Sequence, residues 1–362
     1  MKRFLVILAA LAMVLPACET NEEIDKPCNH SWVDGVCGTC GEECQHSWEN
    51  GVCTVCGKEC QHSWVDGVCT VCGKDRRYID ATAMSAEELG AAMRNLLASG
   101  ITKITVNLVE EPTDEMYKAL RRALIETSEV EDGSIDLTIQ GAKVVGEDAF
   151  GYHADGNNEY VSELRSITLT DATIIKDTAF YACDNLISFS APNVTKMEDD
   201  VFVVCENLKD VYLPNLREMG HSAFCQCSAL EKITLPELTT LSDLAFGLCR
   251  DLKEVNLPKV SRVMDCALEE CLSLERVTFG TPIVTLVDPF MLHGANESDK
   301  MYIADALRNT TLVLSAEQTE MVLVQEATDY SLAVWGRGTN TFPFGSSRTF
   351  IGYEFKSITA AE

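Results

Sequence analysis

Three consecutive segments place the same thiols and imidazoles at the same spacing. From Cys28 they read CNHSWVDGVCGTCGEE, CQHSWENGVCTVCGKE and CQHSWVDGVCTVCGKD, a 16-residue period. The sets are Cys28, His30, Cys37 and Cys40; Cys44, His46, Cys53 and Cys56; Cys60, His62, Cys69 and Cys72. Each is C-x-H, six residues, then C-x2-C. Four N and S donors suit tetrahedral zinc, and C-x2-C lets two thiolates chelate one ion. Gly35, Gly51 and Gly67 suit the turn between the two ligand pairs. A segment this short has too little apolar surface to fold alone, so metal would supply its folding energy. Four protein ligands leave no position for water, which makes the sites structural rather than catalytic.

Two alternatives stay open. A shifted set of His30, Cys37, Cys40 and Cys44 would leave the third copy with Arg76 as its last member, whereas the unshifted grouping is complete three times. Disulfides are possible in an exported chain, but nine cysteines cannot all pair, so oxidation would be partial. Trp32, Trp48 and Trp64 recur at one phase; they pack over their own knuckles or form a row of aromatic platforms for sugars.

A second period of 22 residues governs Phe180, Phe202, Phe224 and Phe246, and Leu268 and Phe290 continue it. Phe150 precedes it by 30, so one turn carries an insertion at about His153–Tyr160. Cysteine keeps the same phase at 183, 205, 227, 249 and 271, and leucine at 186, 208, 230, 252 and 274. These cysteines read as a buried thiol ladder. Cys225 and Cys266 fall off it. Short apolar-x-apolar strands follow at Phe189–Ala191, Val211–Leu213, Ile233–Leu235, Val255–Leu257 and Val277–Phe279, and Pro192, Pro214, Pro236 and Pro258 close the first four. One such turn cannot bury its own apolar side; a stack of them makes a continuous core. Strand alternation then turns Ser190, Tyr212, Thr234, Asn256 and Thr278 outward as a candidate binding face, or as a plain solvated one.

The elements that must position these residues fall in order. Residues 1–17 read as a signal peptide, with Lys2 and Arg3 before an apolar stretch too short to span a bilayer, and 18–27 as a linker. Residues 28–74 hold the knuckles. Residues 78–143 form a small α/β cap, with a capping box at Ser85–Glu88, helices near 86–99 and from Asp114, and strands around Ile104–Leu108 and Ile135–Ile139. Residues 144–300 are the solenoid and 301–362 a β-rich C-terminal cap. The fold class is α/β.

The formal charge of −27 disfavours nucleic acid and anionic lipid surfaces. No later stretch is apolar enough for a transmembrane helix. His153, His221 and His293 lack a nucleophile pattern, and no common hydrolase, zinc-protease or phosphate-loop motif occurs. No enzyme is expected.

The frame [apolar]-x3-A-F-x2-C-x2-L-x2-[apolar]-x-L-P, as in MGHSAFCQCSALEKITLP (219–236) and LSDLAFGLCRDLKEVNLP (241–258), resembles the BspA-like leucine-rich repeats. The resemblance is close over about 144–290 and looser over 80–140 and the tail. It implies a curved, right-handed solenoid with a ligand face on a bacterial surface, an adhesin-like role toward protein or glycan, and no catalytic residues. Leu268 in place of phenylalanine, the expanded first turn, and a last turn without cysteine or proline depart from the frame. Leu15-Pro16-Ala17-Cys18 resembles the bacterial lipoprotein signal, Pro16 apart, which implies lipidation of Cys18. The acidic run Glu19–Asp25 resembles the surface-export tag of Bacteroides-type lipoproteins. The whole reads as a monomeric lipoprotein on the outer face of the outer membrane. The alternatives are a metal scavenger and a partner or enzyme of polysaccharide processing. Metal analysis of a 19–77 fragment should find close to three zinc ions per chain; fewer than one would remove the knuckle assignment.

Overall fold

The computed structural model describes residues 75–126, 131–151, 161–283, 289–290, 297–315 and 353–361, with paired-strand residues at 32–33, 36–37, 48–49, 52–53, 64–65, 68–69, 285–286, 325–326, 332–333 and 349–350. Cys18, the insertion at 153–160, His293 and the expected metal ligands other than Cys37, Cys53 and Cys69 lie outside these residues. Two units result, Met1–Arg76 and Arg77–Glu362.

In the first unit each 16-residue copy folds its middle into an antiparallel pair. The registers are Trp32↔Cys37 with Val33↔Val36, Trp48↔Cys53 with Glu49↔Val52, and Trp64↔Cys69 with Val65↔Val68. The residues between the paired strands are Asp-Gly, Asn-Gly and Asp-Gly, the dipeptides that two-residue hairpins favour. Cys69 is buried.

The second unit is built on long strands that run parallel. They are β1 (Tyr78–Asp80), β2 (Lys103–Asn107), β3 (Ile135–Gln140), β4 (Leu164–Leu169), β5 (Ser188–Ser190), β6 (Asp210–Tyr212), β7 (Lys232–Thr234), β8 (Glu254–Leu257), β9 (Arg276–Phe279), β10 (Thr311–Leu314) and β11 (Ser357–Ala360). β1 to β6 form one sheet in sequence order, and β7 to β11 a second. Along β5 to β7 the strands start one residue earlier than the apolar pairs suggest, because pairing includes the polar residue before them. A ladder of two-residue strands lies on another side of each turn: Val144–Val145, Ile174–Ile175, Lys196–Met197 and Glu218–Met219 pair in series, as do Thr240–Leu241, Arg262–Val263 and Thr285–Leu286.

A further side is closed by alternating backbone bonds from turn to turn. Thr178, Phe180 and Ala182 donate to the carbonyls of Asp199, Val201 and Val203 at 3.0, 3.0 and 2.8 Å. From Thr178 to Glu270 this path puts two non-glycine residues of each turn at positive φ, among them Asp200 (56°) and Val204 (62°), Ser222 (48°) and Gln226 (62°). Such backbone costs about 1–3 kcal/mol per residue and persists where its surroundings over-determine it; here the bonds to the neighbouring turn do so.

Inside, the phenylalanines form a column. Ring centroids of Phe150, Phe180, Phe202, Phe224 and Phe246 follow one another at 5.5, 5.3, 5.1 and 5.5 Å with nearly parallel planes, and all five side chains are buried. Leu186, Leu208, Leu230, Leu252 and Leu274 make a second buried column.

The expected covers are part of the same sheets. β1 to β3 continue the array beyond β4, with helices α1 (Ala86–Ala98) and α2 (Asp114–Ile125) in the connections. The capping box forms: Ser85 Oγ accepts from the Glu88 amide at 3.3 Å, and Glu88 accepts from the Ser85 amide at 2.8 Å. Tyr117 of α2 tops the aromatic column, its ring edge-on to Phe150 at 6.1 Å and its hydroxyl donating to Val144 O at 2.8 Å. Desolvation pushes that phenol above the ordinary tyrosine range. At the other end β10 and β11 add two parallel rungs, so pairing outlasts the repeat frame. Phe290 meets Tyr353 and Phe355 at 5.8 Å there. Helix α3 (Glu297–Leu307), unread in the sequence, crosses the expected boundary at 300.

Replacing one ring of the column leaves a gap between two others. Phe224→Ala should cost about 3–5 kcal/mol in chemical denaturation, and Phe224→Leu much less, since Leu268 fills the same phase. A loss under ~1 kcal/mol for the alanine variant would contradict a load shared along the column.

Candidate binding face

The outward positions of the long strands form a column of small polar side chains and one tyrosine. Thr105, Thr138, Thr168, Ser190 and Tyr212 are successive register partners from β2 to β6. Thr234, Asn256 and Thr278 continue it on β7, β8 and β9. All five residues expected at this face thus lie on outward positions, in two groups. Ser190 and Thr278 are half-buried, while Tyr212, Thr234 and Asn256 are exposed. Tyr212, at 58 % exposure, is one of the few large apolar side chains so open. Thr105, Thr138 and Thr168 were missed, although each sits between two apolar residues in the same alternation: Ile104/Val106, Leu137/Ile139 and Ile167/Leu169.

The two groups are separated by an interruption. Among the described residues β6 does not pair with β7. The amides of Ile187, Lys209, Lys253 and Glu275 donate to the carbonyls of Arg165, Ile187, Glu231 and Lys253 at 2.8–2.9 Å, but no such bond joins Glu231 to Lys209. Ala191 donates to Tyr212 O and Leu235 to Asn256 O, with no counterpart from Leu213. On the short ladder, side-chain hydroxyls stand in for amides: Ser242 Oγ donates to Met219 O, and Thr239 Oγ1 to Arg217 O at 3.5 Å. The third side stays shut, with Ser222, Phe224 and Gln226 donating to Asp243, Ala245 and Gly247 at 3.0, 2.9 and 2.8 Å. The turns therefore part as a wedge that opens on the strand face. The opening is a cleft of about 390 Å³ lined by Ser188 to Ser190, Lys209 to Tyr212 and Lys232 to Thr234, within the roughly 300–1,000 Å³ range of ligand sites.

Charges beside the column alternate in sign from turn to turn. Lys253 meets Glu231 at 2.8 Å, Lys232 meets Glu254 at 3.1 Å and Lys259 meets Glu237 at 2.6 Å. The Lys253 and Lys259 ammonium groups hold the Glu231 and Glu237 carboxyls below the usual range. Exposed pairs of this kind add only about 0–1 kcal/mol each.

The ladder cysteines face inward. Cys183, Cys205, Cys227, Cys249 and Cys271 donate their thiols to the carbonyls of Phe150, Phe180, Phe202, Phe224 and Phe246 at 3.0–3.4 Å. Burial raises all five well above an ordinary thiol, which keeps them protonated at neutral pH and poor nucleophiles. Cys225 and Cys266 are buried as well, and burial pushes Cys225 up to about 11. His221 Nδ1 lies 3.2 Å from Asp243 Oδ2 on an outer edge. No cluster of three or more His, Cys, Asp or Glu suited to a metal occurs among the described residues, and no helix among them is long and apolar enough to cross a membrane.

With inward columns, outward polar strands and a 22-residue rise in place, the comparisons are direct. Residues 159–290 match the BspA type leucine rich repeat region in six copies. Solved structures give three likenesses to this repeat. A leucine rich cell surface protein from Faecalibacterium prausnitzii A2-165 is 19% identical, covering 58% of this chain and 53% of its own, with a TM-score of 0.34. A leucine-rich repeat protein from Bacteroides ovatus ATCC 8483 is 16% identical over 63% and 76%, also at 0.34. The T. pallidum Leucine Rich Repeat protein is 20% identical over 39% and 78%, at 0.31. The chain spans about half the length of the F. prausnitzii protein. No curated protein matches.

Proposed function

We propose that this chain is a cell-surface lipoprotein whose leucine-rich-repeat unit binds a protein or a glycan, and that it carries out no chemistry of its own. The observation that carries this reading is the outward column. Polar, partly exposed side chains repeat along the array, and the largest of them, Tyr212, is exposed and stands at the cleft. Exposed tyrosine on a rigid element is a common anchor of recognition surfaces, because it presents a large ring at low entropic cost. The ladder thiols are buried and protonated, which supports a structural role for them.

Lipidation at Cys18 and residence on the outer face of the outer membrane complete the reading. Both rest on the N-terminal residues. The three knuckles would serve as a spacer between lipid and array. What supports zinc there is the repeated hairpin: Trp32↔Cys37, Trp48↔Cys53 and Trp64↔Cys69 set each tryptophan beside the first cysteine of its C-x2-C pair, and C-x-H with C-x2-C supplies four donors. Zinc bound there would tie the two strand ends together.

The test is binding of the purified protein to host-matrix proteins and a glycan array, followed by Tyr212→Ala and Asn256→Ala. Tyr212→Ala should weaken binding by about 2 kcal/mol, roughly thirtyfold, and Asn256→Ala by less, with the fold unchanged by circular dichroism. Binding unaltered by both variants, or mapped to the opposite side of the array, would overturn the assignment.

A further inference from the structure

We propose that the opening between β6 and β7 receives an extended peptide, inserted as an extra rung, with an apolar residue turned inward and a carboxylate beside it. This rests on the reading of the strand face as the binding surface and specifies what enters it.

The first argument is the backbone. In a parallel ladder, alternate residues serve opposite neighbours. Asp210 and Tyr212 bond toward β5, through Asp210 N to Ile187 O at 3.1 Å and Ala191 N to Tyr212 O at 3.0 Å. The amide and carbonyl of Val211 therefore point toward β7, as do the carbonyl of Lys209 and the amide of Leu213. No backbone bond from β7 meets them among the described residues. Two such edges facing each other offer donors and acceptors to a strand laid between them, the way sheets accept added strands.

Side chains supply the second argument. At the inward phase of this ladder Ile167, Phe189, Ile233, Val255 and Val277 are buried, but Val211 is only half-buried. Val211 alone of this inward row stays in contact with water. An inward apolar side chain between Val211 and Ile233 would restore its cover, while the outward neighbours would lie along Tyr212 and Thr234.

Charge gives the third. The chain carries −27 overall, yet the cleft is lined by Lys209 and Lys232 against the single carboxylate of Asp210. Lys232 reaches away to Glu254 at 3.1 Å, and Lys209 has no ion pair within 4.0 Å among the described residues. A peptide carboxylate would meet a local cation in an otherwise repelling surface. A glycan would use the Tyr212 ring and hydroxyls but not the row of backbone groups.

The experiment uses the full chain and an end-blocked peptide, Glu-Val-Thr-Val-Glu, with a twin N-methylated at its central amides. In free protein, the Leu213 amide should exchange with deuterium at least ~100-fold faster than those of Ala191 and Leu235, its counterparts in bonded rungs. The peptide should slow exchange at Val211 and Leu213 tenfold or more. N-methylation should weaken binding at least tenfold, and Lys209→Gln severalfold. Val211→Pro, which removes the amide facing the opening and spares the bonds to β5, should abolish binding. If that variant misfolds, the N-methylated twin still decides. Equal binding of the two peptides, or slow exchange at Leu213 in the free protein, would overturn the inference. If a glycan or protein binds in a Tyr212-dependent way while the peptide does not, the inserted rung fails and the strand face stands. If nothing depends on Tyr212, both fail.

Discussion

Each turn of this array hands its unmet needs to the next turn. Apart from short bonds within its corners, its amides and carbonyls find their partners about 22 residues away, and its apolar side chains are covered by the turns above and below. That dependence is why phenylalanine, leucine and cysteine return at fixed phase: a residue off phase would strand a buried polar group or leave a hole between rings. Even the positive φ angles at Asp200, Val204, Ser222 and Gln226 belong to this constraint, since the bonds that hold them lead to the neighbouring turn. The thiol ladder has the same origin. Each cysteine fills the space beside the rings and donates a hydrogen bond to a phenylalanine carbonyl of the turn before.

The constraint is relaxed on the strand side between β6 and β7, and there alone among the described long strands from β1 to β11. The third side remains bonded and the aromatic column passes through unbroken, Phe202 to Phe224 at 5.1 Å and Phe224 to Phe246 at 5.5 Å. The interruption is therefore local, carried on a spine that stays rigid, which is how a repeat array can expose strand edges without losing its core. Exposure follows the same line: outward residues are half-buried from Thr105 to Ser190 and exposed from Tyr212 to Asn256. The functional reading converges on this place because geometry, exposure and charge change together there.

The repeat core was legible because period and phase survive in the chain: stacked positions use the same residue types, so the columns of Phe150–Phe246 and Leu186–Leu274 stand in the sequence almost as they stand in space. The flanks were less legible. Between Thr105, Thr138 and Thr168 the steps are 33 and 30 residues, since α2 and the insertion lengthen the connections, and the continuing sheet looks like a separate cover. The tail was legible as β-rich, but not β10 and β11 as further rungs of the array, because their partners are set by pairing, not by frame. The opening left no trace at all. Turns 206–227 and 228–249 have the same length and the same inward residues as their neighbours, and nothing in that frame explains why their strands part.

Cysteine pairs placed on the outward column measure the stacking and its interruption at once. Register partners in adjacent parallel strands lie about 4.8 Å apart, within reach of a disulfide, and the native ladder thiols are buried away from this face. Ser190→Cys with Tyr212→Cys, and Thr234→Cys with Asn256→Cys, should cross-link within the chain under mild oxidation, while Tyr212→Cys with Thr234→Cys should stay reduced. Equal cross-linking of all three pairs would show a closed ladder, and failure of the first two would show that the turns are not stacked in the register on which the whole account depends.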